Sequence, residues 1–107
     1  MMCVIRHRRL KQGRWEEFRA AWEPASDAWS PQLQRVYHLR SVDDENEVIS
    51  LGFFSGSIED VEASRDHIEV LQAEDERLGR IAPFEEETRF GGLFEVIEEI
   101  VRPGPAG

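Results

Sequence analysis

Polar and apolar residues alternate along three short stretches of the chain, which is the pattern of β-strands with two different faces. In the first stretch, one face carries Val4, Arg6, Arg8 and Leu10, and the other carries Cys3, Ile5, His7 and Arg9. Alternation also marks residues 33–40 and 47–54, and the polar run 42–47 between them predicts an antiparallel hairpin. A fourth strand is predicted over residues 88–101, with Gly91-Gly92 as a β-bulge.

Two other segments have the periodicity of amphipathic helices. Trp15, Phe18 and Trp22 recur at spacings of three and four after the turn Lys11-Gln12-Gly13, and Pro24 ends that helix. A second, long helix is predicted to begin at an N-cap, Ser57, and to bend or end near Gly79 and Pro83. Its apolar stripe includes Val61, Ile68, Leu71 and Leu78.

The resulting order, β-α-β-β-α-β, predicts a ferredoxin-like α+β fold in which both helices cover one face of a four-stranded antiparallel sheet. Residues 1–102 are predicted to form this single domain, and residues 103–107 a flexible C-terminal tail. Apolar residues occur on both faces of the predicted strands, so the face without helices must also be covered by other apolar groups. A second copy of the chain satisfies that need, and a homodimer is therefore expected.

Composition narrows the classes of partner. The 107 residues include 13 Lys and Arg against 22 Asp and Glu, a net charge of −9, which disfavours nucleic acid and anionic membranes as partners. No apolar run is long enough to span a membrane, and the start of the chain lacks a signal-peptide pattern, so a cytoplasmic protein is expected. Lys11 is the only lysine, which indicates a GC-rich bacterial genome, and Cys3 is the only cysteine, so no disulfide forms within the chain.

The stretch VIRHRRLKQGRWEEFRAAW, residues 4–22, resembles the opening of antibiotic biosynthesis monooxygenase-like domains, which belong to the dimeric α/β-barrel superfamily. The similarity continues through Phe53-Phe54, the helix cap at Ser57 and residues 81–84. It implies a homodimer whose two sheets face each other as a barrel, with a pocket in each subunit between the sheet and its own helices. Some proteins of this kind oxygenate aromatic polyketides or quinols without metal or flavin.

Other members of the superfamily degrade haem, and the resemblance to that branch is incomplete. Its first-strand asparagine corresponds to Arg6, its third-strand tryptophan to Phe53 or Phe54, and His67 comes too early to match its haem ligand. These differences argue against haem. The sequence also lacks metal-ligand spacing and nucleotide-binding glycine patterns, so no cofactor and no metal are predicted.

Oxygenation without a cofactor requires a substrate anion that can give an electron to O₂. Arg6 and His67 are the candidate catalytic residues: His67 would take a phenolic proton and Arg6 would stabilise the anion. The candidate substrate-binding residues are aromatic: Trp22, Trp29, Tyr37 and Phe54. The alternatives are structural, with Arg6 in a salt bridge, His67 partly exposed, and the aromatic rings in the core or the dimer interface.

The sequence therefore predicts a cofactor-independent monooxygenase that acts on a small aromatic molecule resembling a polyketide or quinol. The alternative is a non-catalytic homodimeric module that binds a small ligand or serves in a stress response. A continuous cavity lined by Arg6, Trp22, Tyr37 or His67 would favour the enzyme.

Overall fold

The computed structural model describes residues 1–23, 31–65 and 68–104. Its strands are β1 (Met2–Leu10), β2 (Leu33–Arg40), β3 (Glu47–Phe54) and β4 (Glu85–Glu95). Its helices are α1 (Trp15–Trp22), α2 (Ile58–Arg65) and α3 (Ile68–Ile81), and a 3-10 turn (Ala82–Phe84) leads into β4. None of the helices in these ranges is both long enough and apolar enough to cross a bilayer.

The four strands form one antiparallel sheet in the order β2-β3-β1-β4, which confirms the ferredoxin-like arrangement. The predicted hairpin pairs β2 with β3, and Tyr37 lies opposite Leu51. β1 lies in the middle and pairs with both β3 and β4. The central strand therefore sets the register of its two neighbours.

The alternation along β1 divides the sheet into two faces. Leu10 and Arg8 face the helices, where Leu10 joins Phe18, Trp22, Val48 and Ile81 in the hydrophobic core. His7 and Arg9 point to the opposite side, which no helix covers in the described residues and which we call the open face. The open face carries large apolar side chains that are about half exposed, namely Tyr37, Leu39, Phe90 and Phe94.

Two local signals of the sequence are confirmed. Gly13 adopts φ +72° in the turn before α1, a conformation that glycine enters without a Cβ clash. At the start of α2 the Asp60 amide donates to Ser57 Oγ at 3.3 Å, and the Ser57 amide donates to Asp60 Oδ2 at 3.0 Å. These reciprocal bonds cap the helix, and they hold the pKa of Asp60 below its usual value.

The prediction for the last strand was wrong in its bounds and in its bulge. β4 begins at Glu85 and ends at Glu95, which pairs with Met2, the first residue of β1. The register shifts lie opposite His7/Arg8 and Arg9/Leu10, whereas Gly91 and Gly92 pair regularly. Gly91 instead leaves space for the side chain of Arg6, which crosses β4 at this point: a Cβ at position 91 would lie 2.7 Å from Nη1 of Arg6.

The second helical region also differs from the single long helix that was predicted. α2 ends at Arg65 and α3 begins at Ile68, and α3 passes through Gly79 to Ile81. Arg80 of α3 donates from Nε to the Ala21 carbonyl at 3.1 Å and from Nη2 to the Glu23 carbonyl at 3.3 Å. A cation there satisfies carbonyls left open at the end of α1 and joins the two helices.

Phe18 is the side chain on which the core between sheet and helices depends most, because it is fully buried and contacts rings from β2 and α1. We expect Phe18→Ala to lower the free energy of unfolding by about 3–5 kcal/mol, the usual cost of removing a buried phenyl ring. Chemical denaturation at neutral pH measures this. Leu78→Ala, at a half-exposed position of α3, is the control and should cost far less; equal losses would contradict the assignment of the core.

Candidate functional site

His38 projects from the helix-facing side of β2 into a group of aromatic rings. Its Nδ1 lies 2.8 Å from Oγ of Ser50, the residue opposite it on β3. The imidazole meets Trp22 edge to face with ring centroids 4.6 Å apart, and Trp15 and Phe18 lie at 5.5 and 6.4 Å. The strand pair thus orients the ring, and α1 supplies its walls.

The environment keeps His38 neutral. Burial, followed by the charges of Arg19 and Arg8, lowers the pKa of His38 to about 4, so the imidazole carries no charge at neutral pH. Its Nε2 is buried and has no hydrogen-bond partner in the part of the chain that the structure describes. One ring nitrogen is therefore held by the protein, and the other is left without a partner among the described residues.

Arg8 lies in the same layer, with its guanidinium carbon 5.7 Å from the centre of the Phe18 ring. Its side chain is 6% exposed, and Nε forms an ion pair with Oε1 of Glu85 at 2.7 Å. Burial lowers the pKa of Arg8, and Glu85 opposes this effect. Nη1 of Arg8 is buried and, within residues 1–23, 31–65 and 68–104, has no hydrogen-bond partner.

Two further arginines make this layer strongly positive. Arg6 donates from Nη1 to the Ile5 carbonyl at 3.2 Å and has no carboxylate at ion-pair distance among the described residues. Arg77 of α3 lies over Trp22, with its guanidinium carbon 5.2 Å from the ring centre. Burial lowers the pKa of Arg77, Glu74 opposes this, and the charges of Arg8, Arg80 and Arg6 lower it further. A chain with net charge −9 thus collects positive charge between its sheet and its helices.

The structure brings some of the predicted site residues together and separates others. Arg6, Trp22 and Phe54 all belong to the layer between sheet and helices. Tyr37 lies on the open face, where it contacts Phe53 at 6.0 Å between ring centroids, so the sheet separates it from Arg6. The predicted roles of His67 and Trp29 concern positions outside the described residues.

Of the two arginines that alternation puts on one face of β1, sequence analysis chose Arg6 and not Arg8 as the catalytic candidate, and it included neither His38 nor Ser50 in the site. The signal was present, because alternation in β2 places His38 on the face that α1 covers, and α1 carries two tryptophans on one stripe. What the sequence lacked was the strand register that sets Ser50 opposite His38.

A separate groove of about 530 Å³ lies at one end of the sheet, and it extends over the open face. Its lining residues are His7, Leu39, Arg40, Ser41, Glu47, Ile49 and Arg89. Glu47 receives bonds from Arg9 at 3.0 Å and Arg89 at 2.9 Å, and it lies 2.7 Å from Nε2 of His7. Burial raises the pKa of Glu47, but these bonds outweigh burial and lower it. No three His, Cys, Asp or Glu side chains among the described residues are placed to hold a metal ion.

Comparison with known proteins gives matches among solved structures only. No protein-family model and no curated protein sequence matches the chain. A variant of SnoaB, a cofactor-independent oxygenase from Streptomyces nogalater, superposes with a TM-score of 0.68 and 13% identity, over 94% of this chain and 97% of that chain. Proteins described as antibiotic biosynthesis monooxygenases superpose similarly: one from Chloroflexus aurantiacus (TM-score 0.66, 15% identity, 94% and 96% coverage) and one from Nitrosomonas europaea (0.65, 19%, 92% and 100%).

The chain has the fold of the antibiotic biosynthesis monooxygenase-like domains. This confirms the resemblance that the residues around β1 and α1 indicated. At identities of 13–19% the similarity establishes the fold and not the chemistry, because one fold hosts many functions. The function must therefore be inferred from the residues that lie between the sheet and the helices.

The low pKa of His38 predicts a pH dependence of stability. The unfolded chain protonates His38 near pH 6.5 and the folded chain only near pH 4, so stability falls as the pH falls from about 6.5 to about 4. We expect the free energy of unfolding to fall by an amount on the order of 2 kcal/mol over this pH range because of His38. Denaturant unfolding of the wild type and of His38→Gln across this range measures the difference.

His38→Gln should remove that part of the pH dependence, because glutamine does not titrate. The matched control is His7→Gln on the open face, which should retain it. The same slope in wild type and His38→Gln would show that His38 is not the titrating group.

Proposed function

We propose that this protein binds a small phenolic or enolic aromatic molecule between its sheet and its helices and oxygenates it with O₂ and no cofactor. The observation that carries the proposal is Nε2 of neutral His38, which is buried and has no hydrogen-bond partner among the described residues. Ser50 holds the ring through Nδ1, and Trp15 and Trp22 flank it. A buried polar nitrogen without a protein partner is a site at which a ligand hydroxyl gains a hydrogen bond.

The surrounding charge favours the anionic form of such a molecule. Burial, the main cause of the low pKa of His38, would raise the pKa of a phenol or enol bound beside it, whereas the charges of Arg19 and Arg8 would lower it. A pKa of about 4 makes His38 a weak base, so proton transfer from the ligand depends on stabilisation of the anion by Arg8 and Arg6. In this scheme His38 receives the proton and the arginines hold the negative charge. The proposed role of His67 as base stays a prediction.

The electron balance is consistent with a reaction that needs no cofactor. An anthrone, whose CH₂ group lies opposite the ketone in the central ring, loses a proton from that CH₂ group to give an anion that can pass one electron to O₂. Recombination forms a C–O bond to the peroxide, and loss of water leaves a C=O group. One oxygen atom remains in the quinone product and the other leaves as water, while the substrate supplies all four electrons that O₂ takes up.

The test is oxygen uptake by the purified protein with a panel of hydroxylated anthrones and hydroquinones. We expect His38→Gln and Arg8→Gln each to lower the rate by about 100-fold, the usual size of a proton-transfer or charge-stabilisation contribution. His7→Gln, on the other face of the sheet, is the control and should keep the rate. Quenching of tryptophan fluorescence measures ligand binding separately from turnover.

If the wild type binds members of the panel but consumes no oxygen, the protein is a ligand-binding module and the oxygenase proposal is wrong. Unchanged rates in both variants would place the chemistry elsewhere. Circular dichroism and the denaturation midpoint of each variant show whether a lost rate reflects chemistry or folding.

We also propose that a second copy of the chain covers the open face. Tyr37, Leu39, Phe90 and Phe94 expose about half of their surface there, and large apolar patches on a sheet mark an interface. A two-fold axis brings the same face of two copies together and leaves neither exposed.

A charge within this face should separate the two copies. We expect Phe94→Asp to shift the protein from dimer to monomer in a sedimentation dilution series, because the interface would bury an unpaired carboxylate. Phe94 and Leu78 are 45% and 46% exposed, so Leu78→Asp on α3 is a matched control that should leave the dimer intact. A wild type that is monomeric at micromolar concentration, or equal effects of the two substitutions, would contradict the proposed interface.

A further inference from the structure

The groove at the end of the sheet combines an apolar floor with polar walls. Leu39 of β2 lies opposite Ile49 of β3, and Ile49 in turn lies opposite His7 of β1, so these three residues form a row across the open face. Charged and polar side chains complete the lining. The proposed oxygenation uses none of them, because its residues lie on the other face of the sheet.

The carboxylate that lines the groove is already saturated with hydrogen bonds. Oε1 of Glu47 accepts from Arg9 at 3.0 Å and from Nε of Arg89 at 2.9 Å, and Oε2 lies 2.7 Å from Nε2 of His7. In the same network, Oδ2 of Asp44 accepts from Arg9 at 2.6 Å. Little acceptor capacity is therefore left for a cationic ligand.

Donors without partners lie at the other side of the groove. Arg40 is exposed, with its guanidinium carbon 5.5 Å from the centre of the Trp15 ring, and it forms no hydrogen bond or ion pair in the described part of the chain. Ser41 Oγ accepts from the amides of Asp43 and Asp44 at 3.1 and 3.3 Å, and among the described residues its hydroxyl proton has no acceptor. A stacked guanidinium keeps its N–H edge for other partners, so both groups can still donate.

The charge of the groove is opposite in sign to that of the chain. Arg40 and Arg89 line it together with a single glutamate, which gives +1 when His7 is counted as neutral, against −9 for the whole chain. The neighbouring carboxylate of Glu87 is paired with Arg89 at 3.4 Å. A local positive potential on a negative protein attracts small anions to that place.

We propose that this groove is a second binding site, and that it takes a small monocarboxylate with an apolar body. The carboxylate lies at Arg40 and Ser41, because two parallel N–H donors of a guanidinium match its two oxygens. The apolar body lies on Leu39 and Ile49. From Leu39 to His7 the floor spans two strand spacings, about 10 Å, which suits a short alkyl chain or a single ring. The groove volume of about 530 Å³ is typical of small-molecule sites.

The proposed dimer would enclose this ligand and not replace it. Leu39 belongs both to the groove floor and to the apolar patch of the open face, so a second copy would cover the outer side of the groove. The patch otherwise consists of Tyr37, Phe90 and Phe94, and none of these side chains can neutralise Arg40. A side chain of the second copy within the groove is the alternative that the experiment must separate.

Calorimetric titration at low ionic strength with octanoate, octanamide and octylammonium tests the site, since the three probes share an alkyl chain and differ in charge. We expect octanoate to bind about tenfold more tightly than octanamide, because only the carboxylate accepts charge-assisted bonds. Octylammonium should bind more weakly than octanamide. Arg40→Gln should abolish the preference for octanoate and leave the affinity for octanamide unchanged. Arg35→Gln removes another exposed arginine of β2, outside the groove, and is the matched control that should keep the preference.

Amide chemical shifts of the unmodified chain locate the ligand independently of any variant. Octanoate should shift the amides of residues 39–41 and 47–49 and leave the indole N–H signal of Trp22 unaltered. Sedimentation with and without octanoate should show the same oligomeric state. Circular dichroism checks the folding of each variant, and if Arg40→Gln does not fold, the shift map decides the matter.

The proposal does not depend on the proposed oxygenation, and each measurement can overturn it. Octanoate that binds no more tightly than octanamide, or equal losses in Arg40→Gln and Arg35→Gln, would exclude an anion site at Arg40. Shifts centred on Trp22 would place octanoate between the sheet and the helices. Dissociation of a dimer by octanoate would show that the second copy itself fills the groove.

Discussion

The hydrogen bonding of β1 to strands on both sides is the constraint from which the other features follow. A strand held in two ladders cannot rotate, so alternate residues must point to opposite faces of the sheet. Arg6 and Arg8 are thereby placed between the sheet and the helices, and His7 and Arg9 on the open face. Two further features follow from this placement. Gly91 on β4 leaves space for the side chain of Arg6, and Glu85 supplies the counter charge of Arg8.

Burial of Arg8 between the sheet and the helices costs free energy, and the packing of the core does not require an arginine at that position. Glu85 and the Phe18 ring offset part of the lost hydration of Arg8, but Nη1 of Arg8 stays without a partner among the described residues. An unsatisfied buried donor costs about 1–3 kcal/mol, and leucine at that position would avoid the penalty. Nε2 of His38 adds a second such group in contact with the same ring. Buried polar groups without partners among the described residues are what the proposed ligand site would require, and core packing gives no reason for them.

The sequence predicted those parts of the fold that depend on neighbouring residues. Alternation identified β1, β2 and β3, and Ser57 with Asp60 marked the start of α2, since the bonds of a helix cap lie within four residues. The end of β4 was not predictable from composition, because it depends on where β1 stops offering partners. His38 was missed for the same reason: Ser50 and Trp22 reach it from a different strand and from a helix, and no local pattern encodes those contacts.

The proposed ligand site and the proposed dimer interface lie on opposite faces of the sheet and share the same backbone. On β3, Ser50 orients His38 on one face, and its neighbours Ile49 and Leu51 lie on the other face. A second copy packed on the open face, as proposed, would restrain the strand that fixes the His38 imidazole. A site whose oriented histidine depends on two strands at the edge of a small sheet gains rigidity from association. Assembly would therefore preorganise the site without contributing a side chain to it.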